Sequence, residues 1–448
     1  MLNFLIQHSP LLYFTQSLWR DEAYSILVAE RPLAFIFNRL TFEPPIYYTL
    51  LHVWMKLFGN SEIATRSLSL VGFALATIVV IQWAEKLYKH HWLSWYLPLF
   101  FFLNPMLLYY AFEVRTYGWY IFFATLMFFA YEQKRWVLLT VASVLGFYTH
   151  SYMLFTIVAI CLHWLVSHRT KFMRLRSVTR EPMVRSMALT ALALLPWIIR
   201  TIKASAQLKQ SWYFPVDGNL VLSVLGNMFL GYEGTPWYLW PFTANLSLVL
   251  LGLFLLALTG KKTRTRASVF ITAVVVPLGL VVGVSFIKPL FVNRYLIPVT
   301  IAEIFLVVFA IERIKNTNLQ KILAFGAVLF VLCFNLWYPD KHKKSDIRTT
   351  IKEVTALKAK NDVIYALSPL VLFESQYYSG DRSQVYLYNP NNSPFPWYVG
   401  ESLVTTNQMK SEYPVYPVRA FLIGEDATYM IAYRTPLPAR TLTQEKRP

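Results

Sequence analysis

Residues 92–131 read WLSWYLPLFFFLNPMLLYYAFEVRTYGWYIFFATLMFFAY, and among these forty positions only Glu113 and Arg115 are charged. The two sit in a short turn, with apolar runs on either side at 92–110 and 117–131. Neither run alternates apolar with polar as a half-buried strand would, and each approaches the ~20 residues an α-helix needs to cross a bilayer. A helix in lipid satisfies its own backbone donors and acceptors, so the stretch predicts two membrane helices joined by a tight turn. Comparable runs lie at 64–83, 136–149, 151–167, 187–200, 245–259, 267–287, 296–311 and 322–337, for about ten spans in all. Segments 2–14 and 220–230 are shorter. The first suits a shortened opening span, and no basic start marks it as a cleavable signal peptide; the second suits a re-entrant or interfacial helix.

The rest of the chain agrees. Of 448 residues 56% are hydrophobic and 15% charged, well below the roughly 25% charged of soluble domains. A net charge of +18, from 42 Lys and Arg against 24 Asp and Glu, would in a soluble chain suggest nucleic acid. Here the excess falls in short loops: Lys86 and Lys89; Lys134 and Arg135; Arg169, Lys171, Arg174, Arg176, Arg180 and Arg185; Lys261, Lys262, Arg264 and Arg266; Arg313 and Lys315. Alternate threading puts all five on one side, the cytoplasm by the positive-inside rule, where they can also meet anionic headgroups of membrane lipid. No nucleic-acid motif is present. The loop 15–63, the turn at 113–116, His150, the turn 288–295 and everything after Trp337 then share the outer face of a plasma (inner) membrane. Cys161 and Cys333 each lie in an apolar run where they can pack as small hydrophobes, and they provide neither a disulfide framework nor a thiolate metal site.

After Trp337 the pattern changes. Ile347, Ile351, Val354 and Leu357 recur at helical spacing within 345–360, and 363–367, 385–388, 420–423 and 429–433 suit short strands around an Asn- and Pro-rich loop at 389–397. The expected fold is an all-α polytopic membrane bundle of about ten to eleven transmembrane helices at 1–337, followed by a small extracytoplasmic α/β domain at 338–448.

Candidate chemistry gathers on the outer face. In Ser17-Leu18-Trp19-Arg20-Asp21-Glu22-Ala23-Tyr24-Ser25 two carboxylates follow an apolar segment, where desolvation would leave a usable base; the bland alternative is a helix first turn whose acids complement the dipole. Glu43-Pro44-Pro45-Ile46-Tyr47-Tyr48 opens a run with apolar residues at helical spacing, an amphipathic helix on the membrane that anchors the loop or shapes access for a lipid substrate. Glu113 and Arg115 can be an internal ion pair, but Arg115 is also suited to phosphate. His150 is more often a packed histidine than a catalyst. Arg294, beside Tyr295, either snorkels to headgroups or binds substrate. The absence of a Gly-rich phosphate loop, a paired-histidine zinc site, a Gly-x-Ser-x-Gly elbow and a leading βαβ unit disfavours a nucleotide-sugar enzyme.

Taken together, Ser17–Ser25 with its Asp-Glu pair, Glu43–Tyr48 leading to Phe58-Gly59-Asn60-Ser61-Glu62 and Arg66, Glu113–Tyr117, His150-Ser151-Tyr152 and Arg294-Tyr295-Leu296-Ile297-Pro298 resemble the bacterial protein O-mannosyltransferase and aminoarabinose-transferase superfamily. These are GT-C class membrane glycosyltransferases, and the likeness runs over roughly 17–310. It implies a polyprenyl-phosphate sugar donor, Asp21 as general base of an inverting transfer, and Glu22 supporting it or orienting the acceptor. Arg115 and Arg294, with Tyr117, Tyr295 and His150, would hold the donor phosphate, and Glu43, Tyr47 and Glu113 would line the substrate site. A phosphate leaves with little protonation, so one carboxylate suffices. Two features depart from the pattern: a short segment at 2–14 stands where the family has a full first helix, and Glu43-Pro44-Pro45 stands where His-Pro-Pro is common.

The acceptor implied is a lipid, a glycan or a protein. A divalent metal could join Asp21 or Glu22 to the donor phosphate, but adjacent carboxylates do not define such a site and none is assigned. A lipid-linked sugar flippase would need ionisable residues in mid-span along a path, and a non-catalytic assembly protein would act through the outer domain.

Overall fold

The computed structural model describes residues 2–40, 42–169, 181–205, 216–231, 237–287 and 289–436. Lys171, Arg174, Arg176 and Arg180 of the expected basic loop, and Lys288 of the expected outer turn, lie outside these. The chain forms two compact units, one of residues 1–15 and 29–343, the other of 16–28 and 344–448.

In the first unit every expected apolar run is helical. Among the described residues six helical segments have the length and composition to cross a membrane: Glu62–Tyr88, Pro182–Ser205, Trp240–Ala257, Thr263–Ser285, Asn293–Glu312 and Thr317–Lys341. Leu93–Phe102, Tyr117–Glu132, Trp136–Thr149, Met153–Ser167 and Gly218–Leu230 are shorter apolar helices. The protein is a multi-pass membrane protein.

The run 92–110 is not one helix, as its hydropathy suggested. It breaks after Phe102 and restarts as Pro105–Ala111. Pro105 has no N–H to continue the first helix and biases Asn104 to extended backbone, here at ψ 126. The Asn104 side chain then caps the new helix by accepting from the Leu107 N–H at 3.2 Å. Segment 2–14 likewise forms two short helices, Leu2–Gln7 and Leu11–Thr15, on either side of Pro10. Cys161 packs against the core as expected, whereas Cys333 is exposed on the bundle surface.

The Asn293–Glu312 segment is the axis of this unit: 89% of its span window is buried, against 28% for Pro182–Ser205. Phe305 on this axis stacks on Phe270 at 4.7 Å between ring centroids and meets Trp83 at 4.4 Å. Helices Glu62–Tyr88 and Tyr117–Glu132 touch backbone to backbone, as small residues permit in membranes. A Cβ on Gly118 would stand 2.0 Å from the Ser69 carbonyl oxygen, so only glycine fits there. This contact brings the 113–116 turn against Ser69.

Outside the helical bundle, Pro45–Phe58 carries Pro45 at its start and ends at Gly59, whose φ of 82 lets its N–H return to Met55 O. Val53, Leu57 and Phe58 are exposed along it and form an apolar stripe.

The second unit is α/β. Strands β1 (Val363–Ala366), β2 (Val385–Tyr388), β3 (Met409–Lys410), β4 (Ala420–Ile423) and β5 (Tyr429–Ala432) form one sheet in the order β3-β2-β1-β4-β5, parallel except for β5. Helix Ile347–Leu357 buries Ile347, Ile351 and Val354 but leaves Leu357 exposed, because the helix ends there. Helix Pro369–Tyr378 and β3 have no counterpart in the sequence reading. The former is capped by Ser368, opened by Pro369 and packed on β1 and β2. Its residues Val371, Leu372, Phe373 and Glu374 are all buried.

Candidate active site

The candidate residues fall into two clusters, one in each unit. In the membrane unit, the Glu113–Thr116 turn presents Arg115 with its guanidinium Nη1 3.8 Å from Glu43 Oε1. The turn itself is fixed: Ser69 Oγ donates to the Arg115 carbonyl at 3.0 Å, and Arg115 N–H donates to Glu113 O at 2.7 Å. Tyr47, on helix Pro45–Phe58, is fully buried and its hydroxyl lies 3.3 Å from Ser69 Oγ. Tyr47 therefore helps to fix the turn. Glu113 is buried as well.

Beside this turn lies an aromatic cage. The His150 ring stacks on Tyr120 at 4.6 Å and 12°, with Tyr295 at 4.9 Å, Tyr152 at 5.7 Å and Tyr117 at 6.0 Å. The Tyr120 hydroxyl donates to Tyr295 O at 3.1 Å and the Tyr152 hydroxyl to Leu290 O at 2.7 Å, so both anchor the 290–295 segment. Arg294 is buried and its guanidinium carbon sits 5.6 Å from the centre of the Tyr295 ring. Arg115 and Arg294 are close enough for both charges to act on the Tyr117 hydroxyl and on His150. That hydroxyl is buried and has no hydrogen-bond partner among the described residues. Two guanidinium groups around an unpaired donor form a place where anionic oxygens gain charge-assisted hydrogen bonds. The structure thus brings together Glu43, Arg115, Tyr117, His150, Arg294 and Tyr295 with Tyr152 of the His150-Ser151-Tyr152 motif, and adds Tyr120, which sequence reasoning did not single out.

In the second unit, Asp21 and Glu22 occupy the first turn of helix Arg20–Ala29, where the dipole favours acids. Their surroundings differ. Asp21 accepts from Arg20 Nε at 2.7 Å and keeps some exposure. Glu22 is fully buried; its Oε2 accepts from the Trp19 N–H at 3.3 Å and lies 3.6 Å from Lys344 Nζ. Lys344 also sits 4.9 Å over the Trp19 ring. Glu374 is buried beside them, and burial pushes its carboxyl from 4.5 up to about 8. The Arg20 and Lys344 charges and a hydrogen bond from the Arg20 backbone N–H act against that rise, while Glu22 adds to it. Lys344, Glu374 and Tyr378 were not singled out from sequence, although an acid directly after the apolar run at 370–373 was a visible signal.

Among the described residues no group of three or more His, Cys, Asp or Glu is arranged to hold a metal ion.

No protein-family model matches the chain, and no curated protein matches it in sequence. Among solved structures it is similar to ArnT from Cupriavidus metallidurans in the apo state, with TM-score 0.57 and 12% identity over 92% of this chain and 91% of that one. It is similar also to ArnT from Cupriavidus metallidurans bound to undecaprenyl phosphate, with TM-score 0.58 and 11% identity over 94% of this chain and 92% of that one. A likeness that spans both the helical bundle and the appended sheet is one of the whole architecture, and the chain has the fold of a GT-C membrane glycosyltransferase.

Proposed function

We propose that the protein transfers a sugar from a polyprenyl-phosphate carrier to an acceptor on the outer side of the membrane, with inversion. The observation that carries this reading is the Tyr117 hydroxyl, buried, without a partner among the described residues, and under the charge of both Arg115 and Arg294. Such a group costs free energy unless a ligand oxygen pairs with it. Phosphate is the ligand that two guanidinium groups and a hydroxyl suit. The bound undecaprenyl phosphate of one ArnT structure supports the same class of donor.

In this reading Arg115 and Arg294 hold the donor phosphate and stabilise the charge it gains on leaving, while Tyr117 donates to one of its oxygens. Tyr295 and His150 shape the cage, and Glu43 sets the direction of Arg115. Asp21 removes the acceptor hydroxyl proton as the oxygen attacks the anomeric carbon; the carbon–phosphate oxygen bond breaks, and the polyprenyl phosphate leaves as the anion. Asp21, which keeps some exposure beside Arg20, fits the base better than Glu22, which is fully buried against Trp19 and Lys344. The active site and the second unit lie on the extracytoplasmic side, as the basic loops imply.

The flippase alternative gains one candidate, Glu303, an acid inside the axial helix. It is completely buried, however, whereas a sugar path needs accessible polar walls.

The test is transfer in membranes supplied with radiolabelled polyprenyl-phosphate sugars and native membrane extract as acceptor. Wild type is expected to transfer one of them, and Asp21→Asn and Arg115→Ala at equal expression are expected to lose transfer. Unchanged transfer by both variants would sink the assignment.

A further inference from the structure

Three consecutive backbone N–H groups lead into the helix that carries Asp21, and each faces a side-chain acceptor. Leu18 N–H donates to the Tyr378 hydroxyl at 2.7 Å. Trp19 N–H donates to Glu22. The Glu374 carboxyl faces the Arg20 N–H and feels it electrostatically. The first-turn donors of a helix have no partner inside it, so whatever accepts from them fixes where the helix begins and how it points.

Two of the three acceptors come from one element. Glu374 and Tyr378 are four residues apart on helix Pro369–Tyr378, which puts them on one face, a turn apart. Further contacts repeat the pattern: Ser17 Oγ lies 3.3 Å from the Tyr378 hydroxyl, and the Tyr24 ring lies 5.5 Å from Phe373. Gly400, at φ +120, leaves room for Tyr24 that a Cβ would fill, at 2.5 Å from its ring.

We infer that helix Pro369–Tyr378 is a clamp for the Asp21 segment, with Glu374 and Tyr378 as positioning residues for the transfer reaction. The inference rests on the proposed role of Asp21 and adds to it what the C-terminal sheet domain is for. The groups facing Glu374 are Arg20 and Glu22 on the clamped helix and Lys344 on the chain leading to helix Ile347–Leu357. Arg20 is the link to the reaction, because its Nε bonds Asp21 Oδ1 while its N–H faces the Glu374 carboxyl. Losing the acceptor at 374 releases the N–H, and the carboxylate of Asp21 turns with the residue beside it. A glutamine keeps an acceptor oxygen; a leucine does not.

The experiment uses full-length protein in membranes or detergent and compares wild type, Glu374→Leu, Glu374→Gln, Tyr378→Phe and the double variant Glu374→Leu/Tyr378→Phe at pH 7. The clamp requires Glu374→Leu to lower kcat at least tenfold with the donor KM within twofold, and Glu374→Gln to recover most of the loss. It requires amide exchange at residues 17–22 to quicken at least tenfold in the Glu374→Leu variants, while exchange in β1 and β4 is unchanged. Glu374→Leu with wild-type kcat, or Glu374→Gln as impaired as Glu374→Leu, would overturn the positioning role. Unchanged exchange at 17–22 in the double variant would overturn the clamp itself. If exchange quickens but Asp21→Asn is fully active, the clamp stands and the assignment of Asp21 fails.

Discussion

Arg115 Nη1 lies 3.8 Å from Glu43 Oε1, which ties the turn at 113–116 to the segment that leads into helix Pro45–Phe58. Glu43 is about one third exposed, so the pair is a weak contribution to stability. Its use is directional: it helps to orient the Arg115 guanidinium. Glu43→Gln is therefore expected to raise the donor KM several-fold with little change in thermal stability. Arg115→Lys, which keeps the charge but loses the fork, should cost on the order of tenfold or more in kcat/KM. Steady-state kinetics of both single variants and the double variant decide this. Additive losses would mean that the two residues act independently.

Tyr117→Phe separates activity from stability. The hydroxyl is buried with no partner among the described residues, and such a group costs roughly 1–3 kcal/mol. Its removal should leave the thermal midpoint unchanged or raised. Transfer should fall by about an order of magnitude or more, since one hydrogen bond to a developing anion is lost. A variant that is destabilised yet fully active would contradict the role given to this residue.

The membrane part was legible because its signal is local. Each span declares itself in a single apolar window, and a charged residue at its edge stands out against that background, as Asp21, Arg115 and Arg294 did. Hydropathy hid the break at 103–105, although Asn104-Pro105 is a turn signal that should have outweighed it. What a chain-order reading cannot supply is pairing between distant segments. Leu18 and Tyr378 are 360 residues apart, and nothing near either one reports the hydrogen bond between them. The acids Glu374 and Glu303 were visible as charges in or beside apolar runs, but only three-dimensional packing distinguishes the one that faces Arg20 and Lys344 from the one with no hydrogen-bond partner among the described residues.

Glu374 also gives the second unit a pH dependence. Its carboxyl titrates at about 8 in the folded protein against 4.5 when exposed, so between these values the folded state binds the extra proton. Stability from this residue is complete below about pH 4.5, falls as pH rises toward 8, and is flat beyond. The slope is up to about 1.4 kcal/mol per pH unit for one proton. Proteolytic susceptibility of the 344–436 segment should therefore rise from pH 5 to 8 in wild type and rise less in Glu374→Gln. Parallel profiles for the two proteins would mean that another group is responsible.

Glu303 offers the last discrimination. It is fully buried in the axial helix Ile297–Glu312, and neither carboxyl oxygen has a hydrogen-bond partner among the described residues. A carboxyl in that setting costs free energy whichever protonation state it adopts. Glu303→Met, close in volume and apolar, should keep or raise the thermal midpoint. If the protein is a transferase whose chemistry lies at the arginine cage and at Asp21, the variant also retains transfer to within a few-fold. A flippase that moves its cargo past this acid would instead lose flux. The thermal midpoint, donor transfer and flux measured on one membrane preparation tell these apart: a stable variant that transfers is the expected result, and a stable variant with abolished flux would favour the transporter.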